Sequence, residues 1–576
     1  MSGIYQVQSS FLRYIVPFQL KESFETACKK IENQKEKIIK KGISSENQSS
    51  EKYRYLWERV TSMEDGAESD LYGYVRNEFR FEDENQDLSE QKTGCQWLFW
   101  RSDEAKGKDG RKIKELLFFP DGIKKEEREL PEGWNFTVSN VGLYLFRNGL
   151  GFFWYELKLP KKELDSQKFQ AFQNTIRELN RGKTSSVWEK TSTRPEFGVV
   201  LKEERGHKTY ISPFLFGCWI HEMIQELDVR YFAERKNSWN TMMKKNMSRV
   251  EMLSNEIIRG DIVVYDTEIK VPDKAILFTY GTLKTDPKES CYEDRYDFLF
   301  HIANGYNSSY HFSDEAVQEI RRPFEDVCWY ATQEGAAYLV WPGEDNRAVF
   351  ENLMPSKVKT DYFTLYMKVL YQSFSLLIYA EKIQSELSAV NKKYLEEPME
   401  PKITELFGEI NLFLTKSMAT SVSHIHHQSE FYVYLKKQLR IHEDVKSVTA
   451  GLHALDTLQR EQLKREERQR EAEAWKEEQR RDHEEQCQQE ARELREKKRD
   501  GKLQAIMGLF ALLGISSALA DGFDFIGKFD PSGDFWKMVP RTQTGSLILF
   551  VVIGIISAIA IYFSVKAIVD AFRDRD

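Results

Sequence analysis

Apolar positions change their period along the chain. Up to about residue 355 they come in short dense runs rich in aromatic and β-branched residues: GCQWLFW (94–100), IKELLFF (113–119), AILFTYGTL (275–283) and AAYLVW (336–341). Runs of this length and make-up predict strands. Val141 to Pro160 reads VGLYLFRNGLGFFWYELKLP, two strand-like runs flanking Asn148-Gly149, which predicts a hairpin on a type I′ turn. The stretch LDSQKFQAFQNTIRELNRGK then predicts a helix ending near Gly182. With no repeat of 20–50 residues, residues 1–355 predict a mixed α/β domain.

Beyond residue 355 the period becomes helical. Phe363, Tyr366, Met367, Leu370, Phe374 and Leu377 mark a helix over Asp361 to Leu395, broken by Glu396-Glu397-Pro398 and Pro401. Ile403 to about His442 predicts a second helix, so 356–457 reads as a helical domain. From Leu458 to Asp500 there is neither Gly nor Pro, and charges of opposite sign recur at i,i+4, as in Glu461–Arg465 and Glu466–Arg470. Each such pair supports a helix by a few tenths of a kcal/mol. The apolar residues here (Leu463, Trp475 and Leu494 among them) are too sparse for a coiled-coil seam. Residues 458–502 therefore predict a long charged stalk helix; a disordered charged tract is the alternative.

Two uncharged apolar stretches follow, Leu503 to Ala520 and Ser546 to Val565. Each is about 18–20 residues, or roughly 27–30 Å as a helix, the thickness of a bilayer core. They predict transmembrane helices at 503–520 and 546–565, with a buried core hairpin as the alternative. Gly508, Gly514 and Ser517 make the first the candidate pore-lining span. Basic residues flank the pair outside, from Arg492 to Lys502 and at Lys566, Arg573 and Arg575. This places both termini, including the tail 566–576, in the cytoplasm and the loop 521–545, with Asp521, Asp524, Asp530 and Asp534, outside. The expected location is the cell's inner (plasma) membrane, two-pass.

Composition narrows function. The chain has 83 basic and 91 acidic residues, net -8, which argues against a general binder of long nucleic acid. A mean hydropathy of -0.57 excludes a polytopic membrane protein. Six cysteines without CxxC spacing fit a reducing compartment. There is no GxxxxGK[ST] and no strand-anchored GxGxxG. HEMIQE (221–226) lacks the second histidine of a zinc protease, and His424, His426 and His427, two of them on one predicted helical face, lack convergent partners for a metal. The aromatic clusters at 97–100 and 152–155 serve a core or stack a base. No catalytic constellation emerges, so an enzyme is not expected.

The order of α/β body, long helices, stalk and two terminal spans resembles the CorA superfamily of divalent-cation channels. That family's first span ends in Tyr-Gly-Met-Asn-Phe; here the position reads Asp521-Gly522-Phe523-Asp524-Phe525. Gly522 and Phe525 match, Phe523 stands for Met and Asp524 for Asn. The resemblance implies a homopentamer in which Asp521, Gly522, Phe523 and Asp524 form the pore entrance, Asp524 as a carboxylate ring, and a divalent cation such as magnesium as the possible ion. The large body is most similar to the CorA-like membrane effectors beside type III CRISPR systems, which implies an antiviral ion channel gated by a nucleotide second messenger of the S-adenosylmethionine–AMP type, with residues 1–355 as the cytoplasmic ligand-sensing domain. A constitutive magnesium transporter and a membrane-anchored binding protein without a pore are the alternatives.

Overall fold

The structure, a computed structural model, describes residues 6–43, 53–61, 69–83, 85–88, 93–103, 116–119, 133–159, 164–179, 196–202, 208–211, 216–237, 269–284, 292–306, 310, 313–393, 402–418, 421–527 and, in short pieces, 551–570. The chain divides into two compact units, Met1–Leu458 and Gln459–Asp576. The first is an α/β sheet domain. Its strands are β1 (Gln6–Leu20), β2 (Tyr53–Arg59), β3 (Gly94–Asp103), β4 (Leu116–Phe119), β5 (Trp134–Phe146), β6 (Leu150–Lys158), β7 (Leu164–Asp165), β8 (Glu196–Lys202), β9 (Lys208–Ile211), β10 (Val229–Tyr231), β11 (Glu234–Asn237), β12 (Ile269–Pro272), β13 (Ile276–Lys284), β14 (Arg321–Phe324), β15 (Val327–Ala331) and β16 (Gly335–Val340). One large sheet runs β14-β15-β16-β13-β1-β6-β5-β4-β8-β9, with β7 and β10 also on β1 and β2-β3 joined to β5; β11 and β12 pair apart. Its pairings are antiparallel except β13 with β16.

The central strand β1 is buried on both sides from Phe11 to Phe18, where its sequence is apolar except for Arg13. Leu12, Tyr14, Val16 and Phe18 enter one core; Phe11 and Ile15 enter the other. Helices α1 (Phe24–Ile43), α2 (Ser166–Arg177), α3 (Phe216–Met223) and α4 (Tyr292–Asn304) cover the first face through residues such as Cys28, Phe172, Ile220 and Leu299. Asp165 starts α2 by accepting from Gln167 N at 2.8 Å and Lys168 N at 3.1 Å, the usual N-cap arrangement. Helices α5 (Phe363–Lys393), α6 (Lys402–Ser417) and α7 (His426–Gln438) cover the second face. Two π-helical turns, Val349–Leu353 and Val358–Tyr362, lead into α5.

The hairpin joining β5 to β6 forms, but not on a type I′ turn. Of its loop residues only Gly149 has positive φ, at 85°, whereas type I′ requires two such residues. Gly149 N donates to Phe146 O at 3.0 Å, so Arg147-Asn148 make an ordinary turn and Gly149 takes the left-handed position after it. Asn148 is held instead by its side chain, which donates to Ser375 Oγ at 2.7 Å.

The helix expected over 403–442 is broken between Ser417 and His426. There the chain leaves the helical ladder: Leu71 bridges Ser423, and Ser423 Oγ both donates to Asp70 O at 2.8 Å and accepts from Ile425 N at 3.0 Å. Such local serine bonds compete with helix. A second break falls at Arg440, whose φ is 55°. It ends α7 and opens α8 (Ile441–Gly527), an 87-residue helix. Ile441, Val448, Leu452 and Leu455 of α8 belong to the second core; beyond Leu458 its side chains are largely exposed and pair along the helix, as in Arg481–Glu477 at 3.1 Å.

The two membrane spans expected at 503–520 and 546–565 are not found: among the described residues no helix is long and apolar enough to cross a membrane. Leu503 begins no separate element; it continues α8. Much of 546–565 lies outside the described residues. The two-pass inner-membrane placement, which rested on those spans, is withdrawn with them.

Candidate functional site

The residues picked out for a pore entrance lie on α8. Its helix continues through Gly522, Phe523 and Asp524 to Gly527, so the loop expected from 521 does not start there. Asp521 is exposed; Asp530 and Asp534 lie outside the described residues. Gly508, Gly514 and Ser517 are on the same helix, but at about 100° per residue Gly508 faces away from the other two. A Cβ on Gly514 would meet nothing within 4 Å. Among the described residues no group of three or more His, Cys, Asp or Glu could hold a metal ion, so no described side-chain set fits the implied magnesium. His424 precedes α7, which starts at His426. His427 stacks on Tyr362, with ring centroids 6.2 Å apart. Burial draws its pKa below the usual histidine value, against the opposing field of Asp70.

The aromatic clusters are used mainly in packing. Trp97 is buried beneath Phe81, and Trp154 crosses the strand pair at Gly142. A Cβ on Gly142 would drive into that indole, so glycine there makes room for it. Trp154 in turn lies under the Arg13 guanidinium, 4.8 Å from its ring centroid, and Phe363 covers Arg13 at 4.1 Å. Arg13 Nη2 pairs with Glu156 Oε2 at 2.8 Å and Arg13 Nη1 donates to Lys359 O at 2.7 Å. Lys359 Nζ and Ser139 Oγ reach Glu156 Oε1 at 2.6 and 2.9 Å. Burial alone would raise the Glu156 pKa; Arg13 and Lys359 outweigh it and hold the carboxyl below its ordinary value. This constellation has its charges paired, and Arg13 and Glu156 in it are buried. It fixes the second π-helical turn to the sheet.

Next to it Asp361, also buried, accepts from Ser69 Oγ at 2.6 Å, Asp70 N at 3.2 Å and Gln428 Nε2 at 3.1 Å. Lys357 Nζ meets Asp70 at 3.0 Å. These bonds tie residues 69–70, the π-helical turn and α7 together.

A different arrangement opens where α7 meets α8. A groove of about 460 Å³ lies there. Met418, Val433, Ile441 and Val445 give it an apolar surface, and Lys436, Lys437 and His442 a basic one, with Glu443 the single acidic lining residue. The geometry comes from Arg440: its left-handed backbone turns the chain between the two helices, and Asp444 N then donates to Arg440 O at 3.1 Å to start α8. Lys436 Nζ sits 5.2 Å from the Tyr432 ring centroid. Tyr432 OH accepts from Gln372 Nε2 at 2.8 Å, and the same amide donates to Ser417 O at 2.6 Å. Four residues before Gln372, Lys368 forms a buried ion pair with Glu78. Burial raises the Glu78 pKa above its ordinary value despite Lys368 and a Ser417 hydrogen bond. Burial, then the like charge of Lys368, lowers that of Lys436.

This groove was hidden in the sequence because 403–442 reads as one helix. The available signal was YLKKQLRIH (434–442), basic residues crowded beside an aromatic one. No family model, curated protein or solved structure matches the chain.

Proposed function

We propose that the chain is a ligand-responsive binding protein, an effector rather than an enzyme, whose α/β unit takes a small nucleotide-like ligand into the groove between α7 and α8. The observation that carries this is the groove itself. One open cavity offers an apolar surface for a flat ring system and a lysine pair for a negative charge, the mixture by which nucleotide sites combine orientation with burial. Its lining includes the first residues of α8, so occupancy bears on the start of the 87-residue helix. A ligand shifts such an element only by its difference in affinity for two arrangements. The resemblance to CRISPR type III effectors suggests a messenger of the S-adenosylmethionine–AMP type, and the reading needs neither a pore nor a membrane span.

The test is calorimetric titration of the full chain with AMP, ATP, S-adenosylmethionine and a 20-nucleotide RNA, repeated with Val433→Asp. Saturable binding of at least one small nucleotide, lost in the variant, is expected, with RNA binding no tighter. Absence of binding by every small probe, or binding indifferent to Val433→Asp, would overturn it.

A further inference from the structure

We infer, resting on the groove reading above, that Lys436 is the anchor for an anionic head group, of the phosphate monoester kind, and so decides which ligands the groove accepts. The reason is a missing partner. Among the described residues, every other lysine withdrawn from solvent has a carboxylate within 4 Å: Lys30 has Glu22, Lys357 has Asp70, Lys359 has Glu156, Lys368 has Glu78 and Lys382 has Glu409. Lys436 is half-buried and has none of the described residues as an ion-pair partner. Its ammonium lies over the face of Tyr432, which attracts a cation but supplies no negative charge.

The charges behind it do not supply the balance. Glu78 is taken by Lys368, so the buried pair is neutral as a unit and Lys436 adds a positive charge beside it. Glu443 lines the same groove without pairing with it, and Lys437 and His442 add to the basic side. An ammonium in this position is partly desolvated, and among the described residues no carboxylate compensates it. A phosphate oxygen entering from the groove would supply the missing charge-assisted hydrogen bond. Tyr432 fixes where the ammonium stands: its ring lies below Lys436 and its hydroxyl is locked by Gln372. The site therefore has a preset cation next to an apolar surface, and the ligand that satisfies both has a flat apolar part and one anionic group.

The experiment compares AMP, adenosine and inorganic phosphate on the full chain by calorimetry, in the parent, Lys436→Met and Lys436→Arg. The parent should bind AMP about ten- to a hundredfold more tightly than adenosine, the range one charge-assisted hydrogen bond gives. Inorganic phosphate should compete with AMP only weakly. Lys436→Met should erase the AMP preference and leave adenosine binding unchanged, and Lys436→Arg should keep most of it. If the parent binds AMP and adenosine equally, or Lys436→Met binds AMP like the parent, Lys436 is not the anchor although the groove still takes a ligand. If the parent binds neither AMP nor adenosine, the anchor fails, and if ATP and S-adenosylmethionine do not bind either, the groove reading fails with it.

Discussion

Arg13–Glu156 and Lys368–Glu78 are both ion pairs buried on the α5 side of the sheet, and their surroundings differ. Around Glu156 a second cation, Lys359, and the Ser139 hydroxyl close the remaining valences, while Trp154 and Phe363 sandwich the guanidinium. Its carboxyl is held below the ordinary value. Around Glu78 burial prevails and the carboxyl is raised, and the next cation along, Lys436, has no carboxylate of its own. Where protein groups satisfy every charge, the cluster is structural: it pins the π-helical turn and leaves nothing for a ligand. Where a charge is left over at the wall of an open groove, an anionic ligand has a partner to meet, which is what the proposal rests on.

The largest expected effect breaks the saturated pair. Glu156→Gln leaves Arg13 and Lys359 facing a neutral amide and should cost about 3–5 kcal/mol, measured by denaturant unfolding; a loss under about 1 kcal/mol would show that the cluster does not hold the turn. Lys368→Met should cost less, about 2–3 kcal/mol at neutral pH, because Glu78 can escape part of the penalty by taking a proton. Acid should separate the two pairs by sign. The stability due to Glu156 is fully present above the unfolded carboxyl value of about 4.3 and is lost as pH falls through its depressed folded value. Glu78 binds its proton earlier in the folded state than in the unfolded one. The stability it withholds at neutral pH is therefore regained as pH falls through its raised value, and in Lys368→Met this recovery should be larger. Unfolding curves for the parent and both variants between neutral and mildly acidic pH check this; parallel pH slopes for Glu156→Gln and Lys368→Met would contradict it.

Smaller changes sharpen the picture. Gly142→Ala should cost about 1–3 kcal/mol through displacement of Trp154, with a matching change in tryptophan fluorescence. Arg440→Gly relieves a left-handed residue at the groove but frees the unfolded chain, so stability should move by no more than about 1 kcal/mol. A loss of several kcal/mol there would mean that the Arg440 side chain, not its backbone, makes the turn.

The strand positions at 275–283 and 336–341 were legible because central strands buried on both faces carry dense apolar runs, as β13 and β16 do. The break between α6 and α7 was not: it contains neither Gly nor Pro before Ser423, and it arises from long-range pairing with Leu71. Arg440 gave no sign either, since a left-handed arginine is indistinguishable in sequence from a helical one. The groove depends on both breaks. The apolar stretches at 503–520 and 546–565 point to membrane spans by their length and lack of charge; the first does continue the stalk helix α8, as a breaker-free sequence implies, but among the described residues no helix is long and apolar enough to cross a membrane.

Hydrogen–deuterium exchange on the full chain, with and without saturating AMP or S-adenosylmethionine, tests the central claim most directly. If the groove takes the ligand, amides of 433–445 should slow on addition of at least one of the two, with those of 353–363 around the saturated Arg13–Glu156 cluster unchanged. No ligand-dependent protection in 433–445, or protection confined to other segments, would contradict it.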